Sequence, residues 1–179
     1  TSYLDTRQAL DDLGIDERRA AALGIRLYKV ACPWPFDYEH MADFVRGLEM
    51  VMVVEEKRSL LELQLRENLY GTANHPVIIG KKDERGQQLF PVKGALDPNE
   101  IAIAIGERIL RVVGPSEEIS RRVADLRQFQ ARLADTKDVA TRVPYFCSGC
   151  PHNSSTRVPE GSIAGGGIGC HFMALWMDR

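Results

Sequence analysis

The chain has 179 residues, 44% hydrophobic and 27% charged, the balance of a soluble globular protein with room for one ordinary core and part of a second. A formal net charge of −2 leaves no polybasic surface for nucleic acid or acidic lipid, and no apolar stretch approaches the roughly 20 residues that span a bilayer. No basic-then-apolar leader opens the chain, and four cysteines, three of them between positions 147 and 170, are too few and too clustered for a disulfide scaffold, so a cytoplasmic protein with a metal or redox site is expected.

Residues 5–23 read as one or two helices, Asp5 capping the first and Asp16-Glu17 opening a second that ends at Gly24. Ile25 to Ala31 alternates like a strand and stops at Cys32-Pro33-Trp34-Pro35, a turn enforced by two prolines. Asp37 is a candidate N-cap for a helix with Met41, Phe44, Val45 and Leu48 on one stripe. Met50 to Val54 is apolar without alternation, as in strands of parallel sheets covered on both faces. A helix from Ser59 to Tyr70 follows, with Ser59 and Glu62 as a capping box and Gly71 closing it. Val77 to Gly80 is a third strand, and Asp97-Pro98-Asn99-Glu100 opens a helix that runs to Val112.

The order strand, helix, strand, helix, strand, helix predicts a three-layer αβα domain with a mostly parallel sheet and right-handed crossovers. Cys32 to Pro35 and Glu55-Glu56-Lys57 then fall at carboxyl ends of strands, where ligands or partner loops approach such sheets; turn and helix-start chemistry is the simpler reading of both. Residues 115–136 form a charged helix with Ile119, Val123, Leu126, Phe129 and Leu133 on one face, a connecting helix laid across a surface. Composition changes near residue 137: Pro, Gly, Ser, Cys and His dominate from there to His171. That change places a boundary between a 1–136 domain and a 137–179 Gly/Cys-rich tail. The first residue is not Met, and the last ten, Cys170 to Arg179, form an uncapped apolar run, so a segment of a longer chain is expected.

The tail carries the chemistry. Cys147 and Cys150 stand three apart, and Cys170 follows after 19 intervening residues at the end of Gly165-Gly166-Gly167-Ile168-Gly169. Two thiolates on one tight turn can chelate a single metal centre, with Gly149 giving the turn its freedom. The glycine run lets backbone approach a bulky inorganic or phosphate group. A zinc ribbon needs a second Cys-x-x-Cys, and Met173 stands where it should close. A c-type haem site needs His directly after the second cysteine, and Pro151 intervenes before His152. A thioredoxin-like pair should open a helix after a strand, and Pro151-His152-Asn153-Ser154-Ser155 is a poor helix start. A cubane cluster whose fourth ligand lies further along the chain also fits, and spacing alone leaves zinc, redox and cluster readings open. Cys32 reads as a buried small hydrophobe, His152 as a ligand, proton donor or plain loop residue, and His40 and His75 as incidental.

The run Phe146 to Ser162, followed by Ala164 to His171, closely resembles the long fused indolepyruvate ferredoxin oxidoreductases; Leu23 to Val30, Trp34-Pro35 and Val53 to Lys57 resemble that family as well. The resemblance implies a transketolase C-terminal-like α/β domain up to about residue 136, then the truncated start of a thiamine-diphosphate-binding domain. It further implies that Cys147, Cys150 and Cys170 hold a [4Fe–4S] cluster, with His152, Gly167 and Gly169 near the thiamine. The reaction it implies is oxidative decarboxylation of an aryl 2-oxoacid, with electrons passing to ferredoxin, the acyl group to coenzyme A, and a homo-oligomer as the working unit. The Gly-Asp-Gly … Asn motif for Mg²⁺ and diphosphate is not in the chain, nor is a fourth cluster cysteine in the tail, so the 179 residues alone are expected to be inactive. Two other readings stand beside it: a pyruvate or 2-oxoglutarate enzyme of the same superfamily, and a non-enzymatic α/β binding module with a zinc or redox Cys-x-x-Cys tail.

Overall fold

The computed structural model describes residues 2–135 and 143–177. It divides into a unit covering Thr1–Asp135 and a smaller one covering Thr136–Arg179.

In the larger unit the elements run α1 (Ser2–Asp12), α2 (Glu17–Ala22), α3 (Tyr38–Val45), β1 (Met50–Met52), α4 (Leu61–Leu69), β2 (Val77–Ile79), α5 (Pro98–Val112) and α6 (Glu117–Asp135). Local chemistry explains most of the starts. Asp16 accepts the Arg19 N–H at 2.7 Å and Asp37 accepts the His40 N–H at 3.2 Å, each filling one donor orphaned at a helix start. Asp97 accepts the Asn99 N–H at 2.8 Å while Pro98, which has no N–H to leave unpaired, takes the first helical position. Helix α2 closes with paired bonds from Gly24 N to Ala21 O and from Ile25 N to Ala20 O, the Schellman pattern. Asp5 caps nothing; it lies inside the first turn of α1, which begins at Ser2.

Strands β1 and β2 pair in parallel, Met50 opposite Val77 and Met52 opposite Ile79. Residues of β1 and its extension alternate between two cores, as a period of two requires. Met52 and Val54 pack towards Leu10, Leu13, Ile101, Ile109 and the other apolar residues of α1, α5 and α6. Val51 and Val53, with Ile78, pack towards Phe36, Met41, Val45, Leu65 and Leu69 from α3, α4 and the segment before α3. The chain is therefore α/β with helices on both faces of a parallel pair. The strand expected over residues 25–31 is not formed: Ile25 to Val30 carry no ladder, so among the described residues the sheet has two strands where the sequence pattern predicts three. In α6 the apolar stripe is only partly used. Ile119 and Val123 are buried and Leu126 packs beside them, but Phe129 and Leu133 are 50% and 53% exposed.

Helix α5 is the hub of the larger core, packed between α1 and α6. Gly106 makes that spacing. A methyl there would collide with the Val123 side chain and lie 3.2 Å from Leu13 Cδ2. Substituting Gly106→Ala gains about 1 kcal/mol of helix propensity but forces α6 outward, an overpacking cost of about 1–3 kcal/mol. We expect a net loss of about 1 kcal/mol in denaturant unfolding; an unchanged or raised midpoint would show that the α5–α6 spacing is slack.

Candidate functional site

Two places carry chemistry-bearing side chains: the strand ends of the larger unit and the cysteine turn of the smaller one.

At the strand ends, Glu55 follows β1 and turns its carboxylate onto the start of α4. Oε2 accepts the Leu60 and Leu61 N–H groups at 3.0 and 2.9 Å, and Oε1 accepts that of Glu62 at 3.1 Å. The expected capping box is thus replaced. The residue before α4 is Leu60, which offers no side-chain acceptor, and a carboxylate from the preceding loop does the work expected of Ser59. Glu62 is turned elsewhere: Oε2 accepts the Lys81 N–H at 2.9 Å, while Oε1 accepts Arg66 Nε at 3.2 Å and Nη2 at 3.0 Å. Arg66 also donates to the Ile78 carbonyl at 2.6 Å. Lys81 Nζ donates to the Glu55 carbonyl and, at 3.2 Å, to that of Pro91. Burial pushes the Lys81 ammonium below its ordinary range, and the carboxylates of Glu55, Glu62 and Glu56 work in the opposite direction. Glu55, Glu62, Arg66 and Lys81 each find partners within the network, so it ties loop 53–60, α4 and β2 together.

Gln64 of α4 links this network to the proline turn, donating to the Pro33 carbonyl at 3.1 Å. Cys32 does not behave as the buried hydrophobe its sequence setting predicts. It is exposed, and its thiol donates to the Trp34 carbonyl at 3.1 Å, because two prolines hold this turn at the surface. His40 bonds locally to Asp37 at 2.8 Å.

In the smaller unit, Cys147 to Cys150 form a tight turn. Cys150 N–H donates to the Cys147 carbonyl at 3.0 Å, and Gly149 sits at φ +75, where a side chain would be strained. Asn153 reinforces it, donating from its amide side chain to the Cys147 carbonyl and from its backbone to the Cys150 carbonyl, both at 3.0 Å. Pro151 then leads into α7, the single helical turn His152–Ser155, a start that the sequence pattern does not predict. Pro at the entry costs nothing there, since its missing N–H would be an orphan in any case. Cys170 begins a 3₁₀ helix, Cys170–Trp176. All three thiols are free; Cys147 and Cys170 are exposed and Cys150 half-buried.

The structure adds His171, which motif spacing does not single out. Its ring lies 5.8 Å, centroid to centroid, from that of His152, and His152 lies 5.4 Å from buried Phe146. Gly169 is there for that ring: a methyl on it would come within 3.0 Å of His171 Cε1 and Nδ1. Around Gly167 the space is open. Among the described residues, no three His, Cys, Asp or Glu side chains converge on a point where they could hold a metal ion. The tail therefore offers three free thiols, two of them on one tight turn, without a closed three-ligand group among the described residues.

The Glu55 cap generates a direct test. Removing it by Glu55→Ala leaves three backbone donors at the α4 start without their acceptor, a loss of about 2 kcal/mol. Glu55→Gln keeps one acceptor oxygen and should cost roughly half as much. Urea denaturation of the two variants reads both values, and equal stability of Glu55→Ala and the parent would show that the cap is dispensable.

Residues 1–133 match the family model described as the indolepyruvate oxidoreductase domain. Curated relatives are the indolepyruvate oxidoreductase subunits IorA of Thermococcus kodakarensis (25% identical), Pyrococcus abyssi (25%) and Pyrococcus horikoshii (26%), each aligned over 86% of this chain. The chain spans about a fifth of their length, 20–21%. No solved structure matches the chain. With the family model covering the whole α/β unit apart from its last residues, the chain belongs to the indolepyruvate oxidoreductase domain family.

Proposed function

We propose that this chain is the part of an indolepyruvate-type 2-oxoacid:ferredoxin oxidoreductase that joins a transketolase C-terminal-like packing domain, residues 1–136, to the entry of the thiamine-diphosphate domain, residues 137–179. The observation that carries the proposal is the Cys147–Cys150 turn: two free thiols on one glycine-dependent turn, in a chain whose family and curated relatives bear the name indolepyruvate oxidoreductase. Cys147, Cys150 and Cys170 are three ligands of a [4Fe–4S] cluster in this reading, and the fourth ligand comes from beyond this chain. Thiolate sulfur is the donor such clusters take, and these free thiols, two exposed and one half-buried, can close around one only if the Gly165–Gly169 run lets Cys170 move to the pair.

In the assembled enzyme, bound thiamine diphosphate and Mg²⁺ would supply an electron sink for decarboxylation of an aryl 2-oxoacid, and a cluster held by Cys147, Cys150 and Cys170 would supply one-electron redox chemistry, with ferredoxin as electron acceptor and coenzyme A as acyl acceptor. The chain's own residues do more limited things. The Cys147 turn presents sulfur; His152, between Phe146 and His171, the open backbone at Gly167, and Gly169 beside the His171 ring form the side nearest the cofactor. Without the residues for Mg²⁺ and diphosphate, the 179-residue chain alone is inactive. The working unit is an oligomeric assembly in the cytoplasm, and the name of the curated relatives, a subunit, supports an assembly.

Serine substitutions at Cys147, Cys150 and Cys170 in the full-length enzyme test the assignment. Each variant should lose most of its iron and acid-labile sulfide and the indolepyruvate-dependent reduction of ferredoxin, while thiamine diphosphate content stays near that of the parent. Unchanged iron in any of the three, or stoichiometric zinc in the parent, would contradict it.

A further inference from the structure

Strand β1 uses only one of its two edges. In a parallel ladder the N–H and C=O of one residue point the same way, and alternate residues face opposite edges. Val53 N–H donates to Ile79 O, Val77 N–H donates to Glu49 O, and Val51 lies opposite Ile78, so Glu49, Val51 and Val53 face β2. Met50, Met52 and Val54 face the other way. Among the described residues none of these three has a backbone partner on that side, and none links to residues 26–30.

A cleft of about 800 Å³ lies along this free edge. Met50 to Val54 form one wall, and Ile25, Leu27, Tyr28 and Val30 lie along it as well. The residues that alternate like a strand, 25–31, therefore lie beside the sheet without joining it. The β1 wall of the cleft, Met50 to Val54, is five residues long, the length of an ordinary strand. Direct closure of residues 25–30 onto β1 would need no such gap.

The position of α1 says where the occupant comes from. Ser2, Tyr3 and Thr6, its first turn, line the same cleft. The Lys29 ammonium stands 5.3 Å from the centre of the Tyr3 ring, so α1 starts level with the carboxyl end of the 25–30 segment. A helix that follows a parallel strand starts at that strand's carboxyl end and returns to the head of the next strand. Helices α1 and α2, leading to Ile25, make that return path.

We propose that the cleft is a slot for one further parallel β-strand, about five apolar residues long, formed by polypeptide of the same protein that runs directly into α1. With the slot filled, residues 25–30 pair with its far edge, and the sheet has four strands with the new strand between 25–30 and β1. Curated relatives about four times as long as this chain have the polypeptide to provide it. The inference concerns the larger unit alone and stands whether or not the cysteine tail binds iron.

Residue-resolved amide hydrogen exchange tests it, comparing the 179-residue chain with the longer polypeptide of the same protein. Val51 and Val53, bonded to β2, serve as internal controls. In the longer polypeptide the amides of Met50, Met52 and Val54 should be protected as well as the controls, at least 100-fold more than in the 179-residue chain. If they exchange freely in the longer polypeptide while Val51 and Val53 are protected, the slot is only a solvent-filled cleft and the proposal fails. It also fails if they are already protected in the 179-residue chain. Protection there that is independent of concentration means residues 25–30 pair with β1 directly; concentration-dependent protection assigns the edge to a second copy. Should the shorter chain show no protected amide at all, the even-against-odd comparison within the longer polypeptide decides alone.

Discussion

Helix α4 begins at a leucine with nothing to offer its orphaned donors, and the carboxylate of Glu55 takes them. Much of the strand-end geometry depends on that substitution of a distant cap for a local one. Because Glu55 reaches forward, the loop leaving β1 is bound to α4. Because Glu62 is then free of capping duty, it turns back to hold the Lys81 N–H just after β2. Lys81 completes the tie by donating to the Glu55 and Pro91 carbonyls. A buried ammonium and two buried carboxylates are costly unless each is fully hydrogen-bonded, and here each is bound into the backbone of a different segment. The ends of a two-stranded parallel sheet, a small element by itself, are fixed in this way.

Local signals in the sequence were readable where one residue acts on its own neighbours. Asp16, Asp37 and Asp97 cap the helices that their positions announce, and the apolar stripe of α3 buries Met41 and Val45. Elements whose form depends on distant partners were not. Ser59 and Glu62 have the spacing of a capping box, yet Glu55 competes successfully for the same donors, and nothing in the local pattern records that contest. Residues 25–31 alternate as a strand should, but alternation specifies a face and not a pairing partner. Cys32 was misread for a related reason: cysteine's usual burial gives way to a turn that two prolines keep at the surface. Lys81, directly after a strand and a glycine, showed its position but not its burial.

The tail divides along the same line. The turn at Gly149 follows from a glycine between two cysteines, whereas the one-turn helix from His152 runs against the expectation set by Pro151. The approach of His171 to His152 joins residues nineteen apart in sequence and is invisible to spacing rules. It gives Gly169 a concrete task, leaving room for an imidazole, beside the cofactor-side role carried by the family resemblance. The three thiols share a unit and a chemistry but do not converge among the described residues. The functional reading therefore makes a geometric demand: Cys170 has to close on the Cys147 turn.

Anomalous diffraction at the iron absorption edge, from crystals of the full-length enzyme, measures that closure directly. The account predicts one strong iron peak with the Sγ atoms of Cys147, Cys150 and Cys170 all about 2.3 Å from metal, the usual metal–thiolate distance. A zinc-edge peak on the Cys147–Cys150 pair, or iron held elsewhere with these three sulfurs free, would contradict it.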